Sequence, residues 1–206
     1  VAAEVADAIR DKRYTWGDYG GTHPGRFGYE VASNMIMAAI GAGMADRDGS
    51  APKAASLPDA LDAASYDQGE FVEPGAAQLG EGWKIGKVGR DLLPLGGIRR
   101  QYEKFDALRS DVVGSDLVFE FVGRGIGAFV LAGPDAGVVE VGIDGGDYVR
   151  HDLYHRHSGG LNYPRSVMFA SDLPRGKHEL RLRISAEKNP KSKGRAAVIL
   201  FFEVNR

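Results

Sequence analysis

Residues 66–206 alternate apolar and polar side chains with a period of two. They break repeatedly at glycine or proline and contain no run of helical spacing. These observations predict a mostly β chain built on a jelly-roll-like β-sandwich. The 29 glycines among 206 residues agree, because tight turns between many short strands need them. Residues 1–44 are of another kind: two helical patterns separated by a glycine-rich loop.

Taken in order, Val1, Val5, Ala8 and Ile9 fall on one face of a short helix ending near Lys12. Residues 15–25 read as a loop. Helical spacing resumes from Arg26 to Met44, with Phe27, Val31, Met35, Ile36, Ala39 and Ile40 as its apolar stripe, and Gly41 and Gly43 are expected to end it. Two helices cannot bury such faces alone, so they require a partner sheet, and none precedes Tyr66. Residues 45–65, rich in Ala and Asp and containing Pro52 and Pro58, read as a linker with one helical turn at Asp59 to Ala64. The domain boundaries are therefore 1–44, 45–65 and 66–206.

In the β region, Leu117, Phe119 and Phe121 share one strand face, and Ile126 to Leu131 and Val138 to Ile143 are β-rich runs. His178, Leu180, Leu182 and Ile184 face one way, while Lys177, Glu179, Arg181 and Arg183 face the other, as in a half-buried antiparallel strand. Val198 to Val204 is apolar on both faces and is expected to be a central strand. Asp144-Gly145-Gly146-Asp147 reads as a hairpin turn and lacks the further ligands of a calcium loop. Gly123 to Gly127 lies in strand patterning with no helix after it, which argues against a phosphate loop.

A net charge of −2 gives no electrostatic reason to expect nucleic acid as a partner. The absence of cysteine excludes disulfides, zinc–thiolate sites and thiol catalysis. No apolar run reaches the length of a membrane span, and no signal-peptide pattern is visible. Because the chain opens directly on a helical pattern without methionine, its natural N-terminus is expected to lie elsewhere.

The block from Tyr14 to Tyr29 carries the chemistry. His23 precedes Pro24 in a glycine-rich loop just ahead of a helix, with Asp18 five residues upstream. A serine-type esterase needs an imidazole to take the nucleophile's proton and a carboxylate to orient that imidazole. The competing reading makes His23 an exposed loop histidine and Asp18 a turn cap. His23-Pro24, followed by Phe27-Gly28-Tyr29 and a helix of small and apolar residues, resembles the last catalytic block of SGNH (GDSL-like) hydrolases. The resemblance implies that residues 1–44 are the terminal helices of an incomplete α/β/α (flavodoxin-like) SGNH domain. It implies His23 as general base and acid, Asp18 as its orienter, and no cofactor. One departure matters: the family's usual aspartate lies three residues before the histidine, and that position here is Gly20. An acid from another part of the protein is the alternative partner for His23.

The family's Gly-Asp-Ser nucleophile block is absent. The closest string, Asp48-Gly49-Ser50, sits in the linker with no strand before it and reads as a turn. The serine is therefore expected on an upstream or separate polypeptide, and the chain alone is expected to hydrolyse nothing. Gly123 to Leu131, Gly142 to Gly145, Asp152 to Tyr154, Leu161 to Pro164 and Gly176 to Leu180 resemble the β-sandwich that accompanies some bacterial carbohydrate esterases. That resemblance implies deacylation, chiefly deacetylation, of a carbohydrate by a secreted or periplasmic bacterial enzyme. The alternative is a non-catalytic glycan-binding or assembly module.

Tyr154, His155, Arg156, Asn162, Tyr163 and Arg165 concentrate in one loop, which is expected to contact substrate and to face the site of His23. His151, His155 and His157 would share a face if the strand continued through them, which leaves a metal as a further alternative, although no supporting carboxylate shell accompanies them. Trp16, Trp83 and Tyr102 suit sugar stacking or, more commonly, core packing. Residues 188–195, with four basic side chains, read as a solvated hairpin loop.

Overall fold

The computed structural model describes residues 2–45, 56–59, 61 and 68–206. The expected turn at Asp48–Ser50, most of the 45–65 linker and most of its helical turn lie outside the described residues. The chain divides into two compact units, Val1–Asp59 and Ala60–Arg206.

The first unit is helical: α1 (Ala2–Arg10), the single turn α2 (Trp16–Tyr19) and α3 (Arg26–Ala45). Of the expected face of α1, Val5 and Ala8 are buried. The long helix differs from expectation at its end: α3 runs through Gly41 and Gly43 to Ala45. Neither glycine has positive φ. A glycine stops a helix by adopting the left-handed conformation; otherwise it only weakens the helix, by about 1 kcal/mol relative to alanine. Gly28 is the one buried residue of α3, while Ile36, Met37, Ile40 and Met44 are 49–64% exposed. Among the described residues of this unit, no further layer covers this apolar stripe.

The second unit is mostly β. Its strands are β1 (Gly69–Val72), β2 (Gln78–Leu79), β3 (Lys84–Lys87), β4 (Asp106–Ser110), β5 (Asp116–Gly123), β6 (Gly125–Ala132), β7 (Val138–Ile143), β8 (Val149–Asp152), β9 (Tyr163–Ala170), β10 (Gly176–Ile184) and β11 (Ala197–Asn205). They form two antiparallel sheets. One runs β3-β4-β11-β6-β9, with β1 also on β11; the other runs β2-β5-β10-β7-β8. This is a β-sandwich, as the alternation predicts. Leu117, Phe119 and Phe121 of β5 and Leu180, Leu182 and Ile184 of β10 fill the space between the sheets, opposite Ile126, Ala128 and Val130 of β6.

The central position of β11 follows from its apolar character on both faces. Ile199, Phe202 and Val204 enter the main core, with the Phe202 ring 4.1 Å from that of Phe119. Val198 and Leu200 enter a second cluster with Val88, Leu92 and Leu93. A register shift between Ile199 and Phe201 lets both Ile199 and Phe202 reach the same core despite their odd spacing. Trp83 is buried in the main core and Tyr102 packs on the second cluster, so both serve packing.

The β7–β8 turn holds a charged lock. Asp144, at φ 52°, accepts a hydrogen bond from Glu179 N at 2.8 Å, and its other carboxylate oxygen lies 2.6 Å from His178 Nδ1. His178 Nε2 lies 2.7 Å from the Pro174 carbonyl, and the side chain is only 8% exposed. Both ring nitrogens face acceptors, so both donate only in the imidazolium form. The Asp144 carboxylate, chiefly, raises the pKa of His178, and the hydrogen bond from His178, chiefly, lowers that of Asp144. The histidine's contribution is therefore complete below its unfolded value near 6.5 and is lost as pH rises through the higher folded value. The aspartate's contribution is present above its unfolded value near 3.8 and is lost as pH falls through the lower folded one. Thermal melts are expected to show the sandwich losing stability from pH 6 toward pH 9. His178→Gln should melt lower at pH 6, by about 1–3 kcal/mol of lost interaction, and should flatten that alkaline decline. Parallel pH profiles for the two proteins would exclude the lock.

Candidate functional site

The first candidate site is the loop between α2 and α3, which two glycines shape. Gly20 caps α2 in the left-handed conformation at φ 100°. A Cβ there would collide with Gly25 N and crowd the His23 carbonyl and Pro24. Gly28, in the first turn of α3, lies so close to the Tyr19 carbonyl that a Cβ would overlap it and press on the Pro24 ring. The same Tyr19 carbonyl accepts from Gly25 N at 3.0 Å. Residues 20–25 are thus clamped to the end of α2, and His23 stands exposed on the resulting turn ahead of α3. Tyr14, Trp16, Tyr19 and Phe27 frame it, with Tyr14 against Phe27 at 5.3 Å and Trp16 stacked on Tyr19 at 5.6 Å.

A carboxylate-bearing side chain has no room at position 20, where SGNH hydrolases usually carry their aspartate. Asp18 occupies a different setting. It is the third residue of a capping box, in which Thr15 Oγ1 accepts from Asp18 N at 3.1 Å. Asp18 Oδ2 accepts from Thr15 N at 2.8 Å and from Thr15 Oγ1 at 2.7 Å. These bonds, the backbone one first, lower its pKa, so the carboxylate is charged wherever an imidazole can act as a base. Among the described residues Asp18 makes no hydrogen bond to His23. Its partner is Thr15, and its Oδ2 is committed to the cap.

The second candidate site is the loop between β8 and β9. It is pinned at both ends. Asp152 accepts from Tyr154 N at 2.9 Å and from Asn189 Nδ2 at 2.6 Å. The buried Asn162 donates to the Leu95 carbonyl at 2.8 Å and the Gly97 carbonyl at 3.1 Å. Gly97 N reaches the Gly160 carbonyl at 2.8 Å. Within the loop, Ser158 is fully buried and bonds the backbone of His155 in both directions. His155 stacks on Tyr163 at 4.4 Å with the rings 10° from parallel, and His157 approaches Tyr163 at 5.3 Å. Arg156 Nε donates to His157 Nε2 at 3.2 Å. Tyr154 is half-buried and packs on the main core, behind this surface.

His151 is separate from its neighbours in sequence. The strand ends at Asp152, and His151 packs edge-on against Phe169 at 5.0 Å, where burial lowers its pKa. The three imidazoles do not converge, and among the described residues no group of histidine and carboxylate side chains is placed to hold an ion. Arg99 joins the loop surface instead. With His157, Gly160, Leu161 and Tyr163 it lines a cavity of about 520 Å³. A larger cleft of about 640 Å³ elsewhere on the sandwich is lined by Glu70, Arg206, Asp144 and His178, whose charges already pair with one another. The 188–195 loop is less solvated than expected: Ser192 is buried, and its carbonyl accepts from Lys188 Nζ at 2.9 Å.

No protein-family model matches the chain, and no curated protein sequence matches it. Solved structures do resemble it in fold. A two-domain esterase (CEX) active on acetylated mannans aligns with 97% of this chain at a TM-score of 0.72 and 13% identity. The same esterase co-crystallized with mannopentaose aligns with a TM-score of 0.70, also at 13% identity. The chain spans about half the length of these neighbours, 53% and 52% respectively. Among the described residues no helix is long and apolar enough to cross a membrane.

Proposed function

We propose that this chain is the C-terminal part of an SGNH-type carbohydrate esterase that removes O-acyl groups, chiefly acetyl, from a glycan. The observation that carries the reading is the clamped, exposed His23 turn at the head of α3, a helix whose apolar stripe lacks a covering layer. In this reading a parallel sheet carrying the serine nucleophile, on upstream sequence or a separate polypeptide, covers that stripe and brings the hydroxyl to the imidazole. His23 takes the serine proton as the acyl carbon is attacked, then returns it to the departing sugar oxygen. Asp18, the nearest carboxylate to His23 in sequence, is held charged by Thr15 and in this reading orients the ring through its Oδ1. The fold likeness to a two-domain esterase active on acetylated mannans supports the substrate class.

The sandwich supplies glycan contacts through Tyr163, His155, Arg156 and Arg165, with Tyr154 supporting the loop from behind. In the complete enzyme, Tyr163→Ala is expected to raise KM for an acetylated polysaccharide about tenfold, a typical loss for one stacked contact. It should leave hydrolysis of a small aryl acetate nearly unchanged. Equal losses on both substrates would remove the loop from substrate recognition.

A further inference from the structure

We infer that the surface around Arg99, Arg156, Arg165, His157 and Tyr163 takes an acidic glycan, through the carboxylate of a uronate-type sugar. This rests on the glycan-contact reading above and names the charge of its ligand. The observation is a contrast among the arginines of the sandwich. Arg109, Arg150, Arg181, Arg183 and Arg206 each hold a carboxylate, at 2.6–2.8 Å. Arg90, Arg175 and Arg195 donate to backbone carbonyls. Arg99, Arg100, Arg156 and Arg165 hold no carboxylate among the described residues, and of these four Arg99, Arg156 and Arg165 gather around the His155–Tyr163 loop surface.

The placement is built rather than incidental. Arg99 is brought to the loop by the Gly97–Gly160 and Asn162–Gly97 bonds and shares the cavity with His157 and Tyr163. Arg165 stands two residues beyond Tyr163 on β9, which puts both on one strand face. Arg156 is tied to His157. The acid of this loop, Asp152, is occupied by Asn189 and the Tyr154 amide and does not offset the charge. The positive field is felt locally: burial first, then Arg165, His157 and Arg156, lower the pKa of His155. Like charges gathered without a counter-ion repel one another, so such a cluster is costly unless a ligand supplies the anion. Guanidinium groups match a carboxylate with two parallel donors, and the stacked Tyr163–His155 pair offers an aromatic wall for the apolar face of a pyranose.

The test measures binding of the 206-residue chain by calorimetry to oligogalacturonate, oligomannuronate and glucuronoxylan oligosaccharides, and to their carboxyl-reduced counterparts. At least one acidic oligosaccharide is expected to bind about tenfold or more tightly than its neutral counterpart, the scale of one charge-assisted contact. Added salt should erode the difference. Arg99→Gln and Arg165→Gln should each weaken the acidic ligand by about tenfold, with unchanged circular dichroism and with partial recovery in the lysine variants. Arg175→Gln, away from the loop, should not. Equal binding of acidic and neutral forms would overturn the charge selectivity and leave the glycan reading standing. Binding of none of the oligosaccharides would overturn both for this surface.

Discussion

On the proposed esterase reading, replacing His23 with alanine in the complete protein is expected to lower kcat on an acetyl ester by about three to six orders of magnitude, with KM little changed. The size follows from the role. Without the imidazole, a serine hydroxyl must lose its proton to water, and the leaving alkoxide must find one there. The choice of His23 over the other four histidines rests on their surroundings. His178 has both ring nitrogens committed to Asp144 and Pro174, and His151 is packed on Phe169. His155 and His157 are stacked around Tyr163. Only His23 stands exposed on a backbone turn held from both sides by glycine contacts. Asp18→Asn should cost less in kcat, and it should also lower the melting temperature of the helical unit, because it weakens the capping box that Asp18 closes with Thr15. Near wild-type turnover in His23→Ala removes this residue from the mechanism.

Gly20→Asp would create the spacing of acid and histidine usual in SGNH hydrolases, yet on the proposed reading it is expected to lower activity rather than improve it. The backbone at position 20 is left-handed, a conformation that aspartate and asparagine tolerate better than other residues with a Cβ, so the steric collision decides the outcome. The added Cβ would strike the amide of Gly25, which is backbone and cannot swing aside. The turn must open, and His23 moves with it. A displacement of about 1 Å in a catalytic group costs about a hundredfold in rate, so kcat should fall at least that far. Gly20→Asn, which adds a side chain of the same shape without the charge, should do equal harm, and this separates backbone collision from electrostatics. Wild-type or higher activity in Gly20→Asp would show that the turn adapts and that position 20 can serve the acid.

The strands were legible because a period of two assigns each side chain to a face. Leu117, Phe119 and Phe121 needed no partner strand to be placed inward, nor did Leu180, Leu182 and Ile184. The run from Val198 to Val204 announced a central strand, because only a strand covered on both sides can hide apolar groups on both. Residues 15–25 read as a loop, yet Trp16–Tyr19 forms a helical turn, and the Thr15-x-x-Asp18 spacing of its capping box is the local signal that could have found it. Helical spacing gives α3 its extent to within one residue, Met44 against Ala45, but glycine composition does not reveal whether φ turns positive, so Gly41 and Gly43 do not end it.

The sequence by itself determined the β-sandwich, the helical character of residues 1–44 and the loop that holds His23, all of which depend on neighbours a few residues apart. Only the tertiary structure decided that Arg99 joins a loop some sixty residues away, through the Asn162 side chain and the Gly97–Gly160 bond. It alone separated His151 from His155 and His157, by ending β8 at Asp152, and it alone showed why position 20 excludes an acid. The reason is common to all three. Local periodicity is fixed by backbone geometry within one element, whereas the meeting of distant segments is fixed by hydrogen bonds and steric contacts that form only once the sheets have paired.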